Sequence, residues 1–179
     1  MKLQDDVLNS ATDWAKMNYE IRTDDEGKQY CVVTGLKNGI SKTSIKNATI
    51  ANKYKGVPVT IIGNNAFMDC SNIKKVVIPN SIISIEWRAF RDCKNLKEIT
   101  IPDSVTGIST EGFLGCANLE KVTLGNSITK LPSYVFYNCG KLETVIYNGT
   151  FCSTEAELKA AGITSIGENA FKGTKIIKE

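Results

Sequence analysis

The chain has 179 residues, of which 42% are hydrophobic and 23% charged, and its formal net charge is +3. Those values describe one soluble domain, or one domain with a small appendage, long enough to bury a core unaided. The charge is too small to imply nucleic acid, and the absence of histidine removes the Ser-His and Cys-His nucleophile pairs, the usual neutral-pH base and every histidine metal site.

Residues 1–30 read as an appendage. Leu3, Val7, Ala11 and Trp14 share one helical face, with Asp5, Asp6 and Asp13 largely away from it, which predicts a helix. Tyr19-x-Ile21-x-Thr23 and Tyr30-x-Val32-x-Thr34 alternate on either side of Asp24-Asp25-Glu26-Gly27, which predicts a hairpin. Helix and hairpin are expected to cap the rest of the chain; a docking helix for a partner is the alternative. The same acids interrupt the apolar stretch of roughly 7–15 residues that a secretory leader needs, and no run approaches the roughly 18 apolar residues that span a bilayer. Two readings of location stay open: a cell-surface or secreted role as part of a longer chain, or a cytoplasmic one. Charge is uneven: residues 1–27 carry net −4, whereas residues 28–58 carry Lys28, Lys37, Lys42, Lys46, Lys53 and Lys55 and no acid. This lysine stretch suits a polyanion, or is a set of solvated loop residues beside the acidic cap.

From residue 59 the chain repeats with a period of 23. Phe67, Phe90, Phe113 and Phe136 form one column, and Cys70, Cys93, Cys116 and Cys139 another. Ile73, Leu96, Leu119 and Leu142 follow, then Val76, Ile99, Val122 and Val145, then Ile78, Ile101, Leu124 and Tyr147. Upstream lie Val59, Ile82, Val105 and Ile128, and Ile62, Ile85, Ile108 and Leu131. A unit this short has no core of its own, so its apolar columns must be buried by stacking on its neighbours. Alternation at the end of each Leu-x-x-Ile-x-Ile block predicts strands at about 45–50, 73–78, 96–101, 119–124 and 142–147, the first belonging to a degenerate unit. The Ala-Phe-x-x-Cys stretch spaces apolar groups three apart and predicts a short helical or 3₁₀ turn.

These motifs carry a resemblance. Ile62-Gly63, Ala66, Phe67 and Cys70, followed by Ile78-Pro79, are similar to the BspA-like, or Treponema pallidum type, leucine-rich repeat; so are Val57-Pro58-Val59-Thr60 and Tyr147-Asn148-Gly149-Thr150. The similarity covers about residues 30–179. It implies a repeat solenoid, a right-handed leucine-rich-repeat superhelix, mostly β with short helical or 3₁₀ turns. It also implies a surface protein, bacterial or protist, that binds host proteins or other cells. The Asn position of typical leucine-rich repeats is Ser81, Ser104, Ser127 and Thr150 here, whose hydroxyls are expected to bond the turn backbone.

The expected organisation is a capping helix and the start of the hairpin over 1–30, then a solenoid over 31–179. The solenoid has full repeats at about 59–150, an insert at 150–162 and a partial repeat at 163–179. Within the insert, Thr154-Glu155-Ala156-Glu157 is a capping-box pattern and Gly162 a stop, predicting a helix at about 155–161. The C-terminal end is expected to be partly exposed, a place where copies could associate, although the expected state is a monomer.

The cysteine column reads as buried free thiols. Its linear spacing cannot supply the convergent tetrahedron of a zinc site, and parallel Cβ directions disfavour disulfides. Cys31 and Cys152 lie outside it. Neither a phosphate loop nor a nucleophile elbow is present, so no enzyme, cofactor, metal, nucleic acid or membrane insertion is expected. The expected function is non-enzymatic recognition of a protein or glycan by the strand face, with cell adhesion as the leading role and a cytoplasmic scaffold or inhibitor as the alternative. The outward strand residues are Lys75 and Val77, Glu98 and Thr100, Lys121 and Thr123, Thr144 and Ile146. Trp87 and Tyr134 replace polar residues of sister units and are expected to be substantially exposed; Trp87 is a further contact candidate.

Overall fold

A computed structural model describes residues 14–178. The expected face of Leu3, Val7 and Ala11 lies outside the described residues, which open on a 3₁₀ turn at Trp14–Lys16. β1 (Met17–Thr23) and β2 (Gln29–Leu36) form the expected antiparallel hairpin. The Asp24 carboxylate closes it by accepting the N–H groups of Glu26 and Lys28. β3 (Asn47–Thr49), β4 (Lys53–Tyr54) and β5 (Val57–Ile62) lead into the regular coils.

Each regular coil then contributes two short strands. They are β6 (Lys75–Val77) and β7 (Ser84–Ile85), β8 (Glu98–Thr100) and β9 (Gly107–Ile108), β10 (Lys121–Thr123) and β11 (Lys130–Leu131). β12 (Thr144–Tyr147) is followed by β13 (Thr150–Cys152), α1 (Glu155–Ala160) and β14 (Ser165–Ile166). The expected strands of the first row are all present. Parallel pairing joins β3 to β6, and β8 to β10 to β12; among the described residues no ladder joins β6 to β8.

A second row was not anticipated. It runs β2-β5-β7-β9, with β11 and β14 paired separately. The hairpin therefore enters the stack, because β2 pairs parallel with β5 as a coil strand would. Tyr19 of β1 ties it to the next segment by accepting the Ala51 N–H and stacking on Tyr54 at 5.0 Å. Among the described residues, the gap between β9 and β11 lacks two hydrogen bonds that the other coils make, one from the Thr129 N–H to Thr106 and one whose absence has a covalent cause. Glu86, Ser109 and Gly167 each donate an N–H to the coil before, to Ile62, Ile85 and Leu131. Pro132 occupies that position between β9 and β11 and has no N–H to give Ile108.

The Ala-Phe-x-x-Cys stretches are stacked turns and not the expected helical or 3₁₀ turns. Within a coil alternate N–H groups close local turns: Ala66 to Gly63, Met68 to Asn65, Cys70 to Phe67. The N–H groups between them reach forward to the next coil: Asn65 to Trp87, Phe67 to Ala89, Asp69 to Arg91. The pattern recurs from Arg88, Phe90 and Asp92 to Thr110, Gly112 and Leu114, and from Glu111, Phe113 and Gly115 to Ser133, Val135 and Tyr137. Positive φ at the third turn position prevents a helix from forming; Asn65, Arg88, Glu111 and Tyr134 hold φ between 56° and 61°.

The core runs the length of the stack. The rings of Phe67, Phe90, Phe113, Phe136 and Phe171 stack in line, with centroids 5.2–5.6 Å apart. Beside them Cys93, Cys116 and Cys139 donate S–H to the carbonyls of Phe67, Phe90 and Phe113 at 3.1–3.2 Å. All six cysteines are free and buried. Burial pushes the Cys70 thiol up to about 11, and those of Cys93 and Cys116 well above their ordinary value. The expected hydroxyl contacts fail: Ser81 and Ser104 have buried Oγ atoms without a hydrogen-bond partner, Ser127 is exposed, and Thr150 opens a strand and makes no turn.

Candidate functional site

The first strand row has an inward and an outward set of side chains, because successive residues of a strand alternate faces. Val76, Ile99, Val122 and Val145 are buried. Their neighbours point out and form two lateral rows, fixed by register: Lys121 lies opposite Glu98 and Thr144, and Thr123 opposite Thr100 and Ile146. Lys75 and Val77 extend these rows onto β6. The structure thus brings eight of the nine candidate residues onto one face. Val77, Thr100, Thr123 and Ile146 line an open groove of about 840 Å³, whose rim includes Asn80, Asp103 and Asn126. The Asp103 carboxylate accepts the Asn126 N–H at 2.8 Å, which holds that rim in place.

The charged row is partly self-satisfied. Lys121 pairs with Glu98 at 3.0 Å, both side chains well exposed, so the pair contributes roughly 0–1 kcal/mol. Glu143, on the same edge, pairs with Lys175 at 2.8 Å.

Phe151 belongs to this face and was missed. Asn148 and Gly149 both hold positive φ, at 50° and 73°, as a two-residue hairpin turn requires. The turn folds β13 back against β12, with Phe151 opposite Ile146. Directly opposed residues share a face, so Phe151, 71% exposed, continues the strip Val77-Thr100-Thr123-Ile146. The dipeptide Asn148-Gly149 between two β-branched and aromatic runs was the signal that could have found it.

Trp87, the ninth candidate, lies elsewhere, in the turn segment between β7 and the Phe90 stack. It is 39% exposed, as expected. Its indole carries the Arg88 guanidinium 3.8 Å above the ring, and the Trp87 backbone N–H donates to the Asn64 side-chain oxygen. Arg88 also donates to Glu111, which takes a second bond from Arg91. The ring is therefore built into a polar network. Tyr134 departs from expectation: it is half-buried, tilted against Tyr137 at 5.5 Å, and its hydroxyl accepts from Asn169. Among the described residues no three His, Cys, Asp or Glu side chains are placed to hold a metal, and no helix is long and apolar enough to cross a membrane.

Residues 60–179 match the family model described as a BspA type leucine rich repeat region, in six copies. The chain belongs to the BspA-type leucine-rich repeat family. Solved structures with this fold include a leucine-rich cell surface protein from Faecalibacterium prausnitzii, 22% identical, with a TM-score of 0.52 over 83% of this chain and 41% of that one. A leucine-rich repeat protein from Bacteroides capillosus is 23% identical, with a TM-score of 0.55 over 75% of this chain and 99% of that one. The pneumococcal vaccine antigen PcpA is 20% identical, with a TM-score of 0.52 over 89% of this chain and 48% of that one. This BspA-type chain thus spans less than half of two of these relatives. Comparison with curated proteins finds no match.

Proposed function

We propose that this BspA-type repeat protein is a non-enzymatic recognition module of a cell surface, which binds a protein or glycan through the outward face of its first strand row. The observation that carries this reading is the strip of small, uncharged side chains ending in exposed Phe151. Shallow, uncharged and β-branched, it offers area for a macromolecule and no enclosed pocket for a small substrate. The likeness to a cell surface protein and to a vaccine antigen supports the surface setting. Adhesion follows as the role of such a face on a cell.

A second reading, a cytoplasmic scaffold or inhibitor using the same face, is favoured by the six unpaired thiols, since oxidising compartments favour disulfides. The test begins with a partner captured by pull-down from host extract. Thr100→Arg and Thr123→Arg should weaken it strongly with no fall in melting temperature, while Trp87→Ala matters less. Retained binding in both arginine variants, with loss in Trp87→Ala, would move the site to the turn side and overturn the reading.

A further inference from the structure

Resting on the strand-face reading, we infer that the partner is an extended polypeptide segment laid across the strands, with acidic side chains over the β6 end and a large apolar side chain against Phe151 at the β13 end.

The direction comes from how charge is distributed along the lower edge of the strip. Lys46 lies just before β3, Lys74 and Lys75 at β6, and Lys97 just before β8; all four are exposed. Among the described residues none of them has a carboxylate within ion-pair distance. Toward the other end Lys121 pairs with Glu98 and Lys175 with Glu143, and exposed Glu120 on the same edge adds a carboxylate unpaired among the described residues. One end of the face therefore holds uncompensated positive charge. Complementary charge steers association and penalises wrong partners. At the opposite end Phe151 leaves a ring largely in water beside Ile146, and exposed aromatic rings are enriched at contact sites.

The dimensions fit a peptide. Adjacent strands lie about 4.8 Å apart, so the four steps from Val77 to Phe151 cover roughly 19 Å. An extended chain rising about 3.3 Å per residue crosses that distance in about six residues. Between the two anchors the floor is Thr100 and Thr123, whose hydroxyls serve a peptide backbone and whose methyls serve its side chains. A glycan would instead need a denser set of polar groups at the floor than these two hydroxyls, and the amides and carboxylate of Asn80, Asn126 and Asp103 stand on the rim.

The experiment pans a phage-displayed library of random short peptides on the full chain, alongside a glycan array. The expected result is enriched peptides with acids at one end and an aliphatic or aromatic residue about six positions away. Their binding should fall at least about tenfold with Phe151→Ser, and equally with the Lys75→Glu, Lys97→Glu pair. All three side chains are exposed, so the melting temperature should hold. Enriched peptides that respond to Thr100→Arg but show no acidic end, or ignore both sets of substitutions, overturn the inference and leave the strand-face reading standing. Peptides indifferent to Thr100→Arg overturn both. A library that yields no binder, or glycans alone captured in a Thr100→Arg-sensitive way, overturns the choice of a polypeptide.

Discussion

The two long sides of this leucine-rich-repeat stack repeat with the same period and are constrained in opposite ways. On the turn side each of the coils of Phe67, Phe90, Phe113 and Phe136 presents a Phe, a Cys and two positive-φ positions, because ring stacking, a thiol-to-carbonyl bond and forward N–H bonds all converge there. A change at any of these positions disturbs contacts with the coil before and the coil after. On the strand side only the inward residues are held. The outward ones vary from lysine to glutamate to threonine from coil to coil at no cost to the stack. The repetition thus marks where the fold is determined, and its lapse marks where the chain is free to carry recognition.

The largest expected effect tests the turn side. Phe113 is packed between Phe90 and Phe136, and Phe113→Ala should cost roughly 3–5 kcal/mol in a denaturant titration; a loss under about 1 kcal/mol would contradict the stack. Next come the thiols. Cys70, Cys93, Cys116 and Cys139 should resist labelling until the protein unfolds. Because Cys70, Cys93 and Cys116 have folded pKa values raised above the ordinary 9.0, their contribution to stability is complete below about pH 9. It is lost as pH climbs from there toward 11 and beyond, since the unfolded chain ionises first. The melting temperature should drop over that range, and drop less in a Cys93→Val, Cys116→Val variant; equal slopes would place these thiols in water.

A smaller effect sharpens the comparison at the gap between β9 and β11. Pro132→Ala returns an N–H facing Ile108. A new ladder bond contributes about 0.5–1.5 kcal/mol, offset by the added freedom of the unfolded chain. The net change in stability should be near zero, yet the new amide should be protected in hydrogen exchange; rapid exchange would show that the gap has another cause. The smallest expected effect is on the strand face. Lys121→Ala should alter stability by under about 1 kcal/mol, and a larger loss would mean that this face is structural after all.

What was legible in the sequence follows from the same contrast. Every apolar column with a packing reason for its period was visible, and the first-row strands followed from their alternation. The insert helix was visible for a local reason. Thr154 accepts the Glu157 N–H while the Glu157 carboxylate takes the Thr154 N–H, a pattern contained in four residues. The second row was hidden because strands of two residues, such as Ser84–Ile85, are too short to show a period. The stacked turns were mistaken for helical ones because both space apolar groups three apart; only the backbone angles at Arg88 and Glu111 distinguish them. Phe151 was lost because the template stopped at Tyr147, although the Asn-Gly pair after it announces a reversal. The unpartnered hydroxyls of Ser81 and Ser104 had no signal at all, since the same residue type commonly bonds a turn.

The forward hydrogen bonds of the turn side all run one way. Alternate peptides there accept from the coil behind and donate to the coil ahead, as peptides do along an α-helix. Along that side the stack is therefore a polar rod, with a head that differs from its tail, whereas Glu86, Ser109 and Gly167 of the second row donate to the coil before. Any coil offers its successor the same donors that it required its predecessor to offer. Inserting or deleting a whole period leaves both terminal units facing the partner they were shaped for, so a gene encoding such a rod can lengthen or shorten by unequal recombination without redesigning either end. The reach of the proposed recognition face then becomes a quantity that heredity can adjust in steps of one strand.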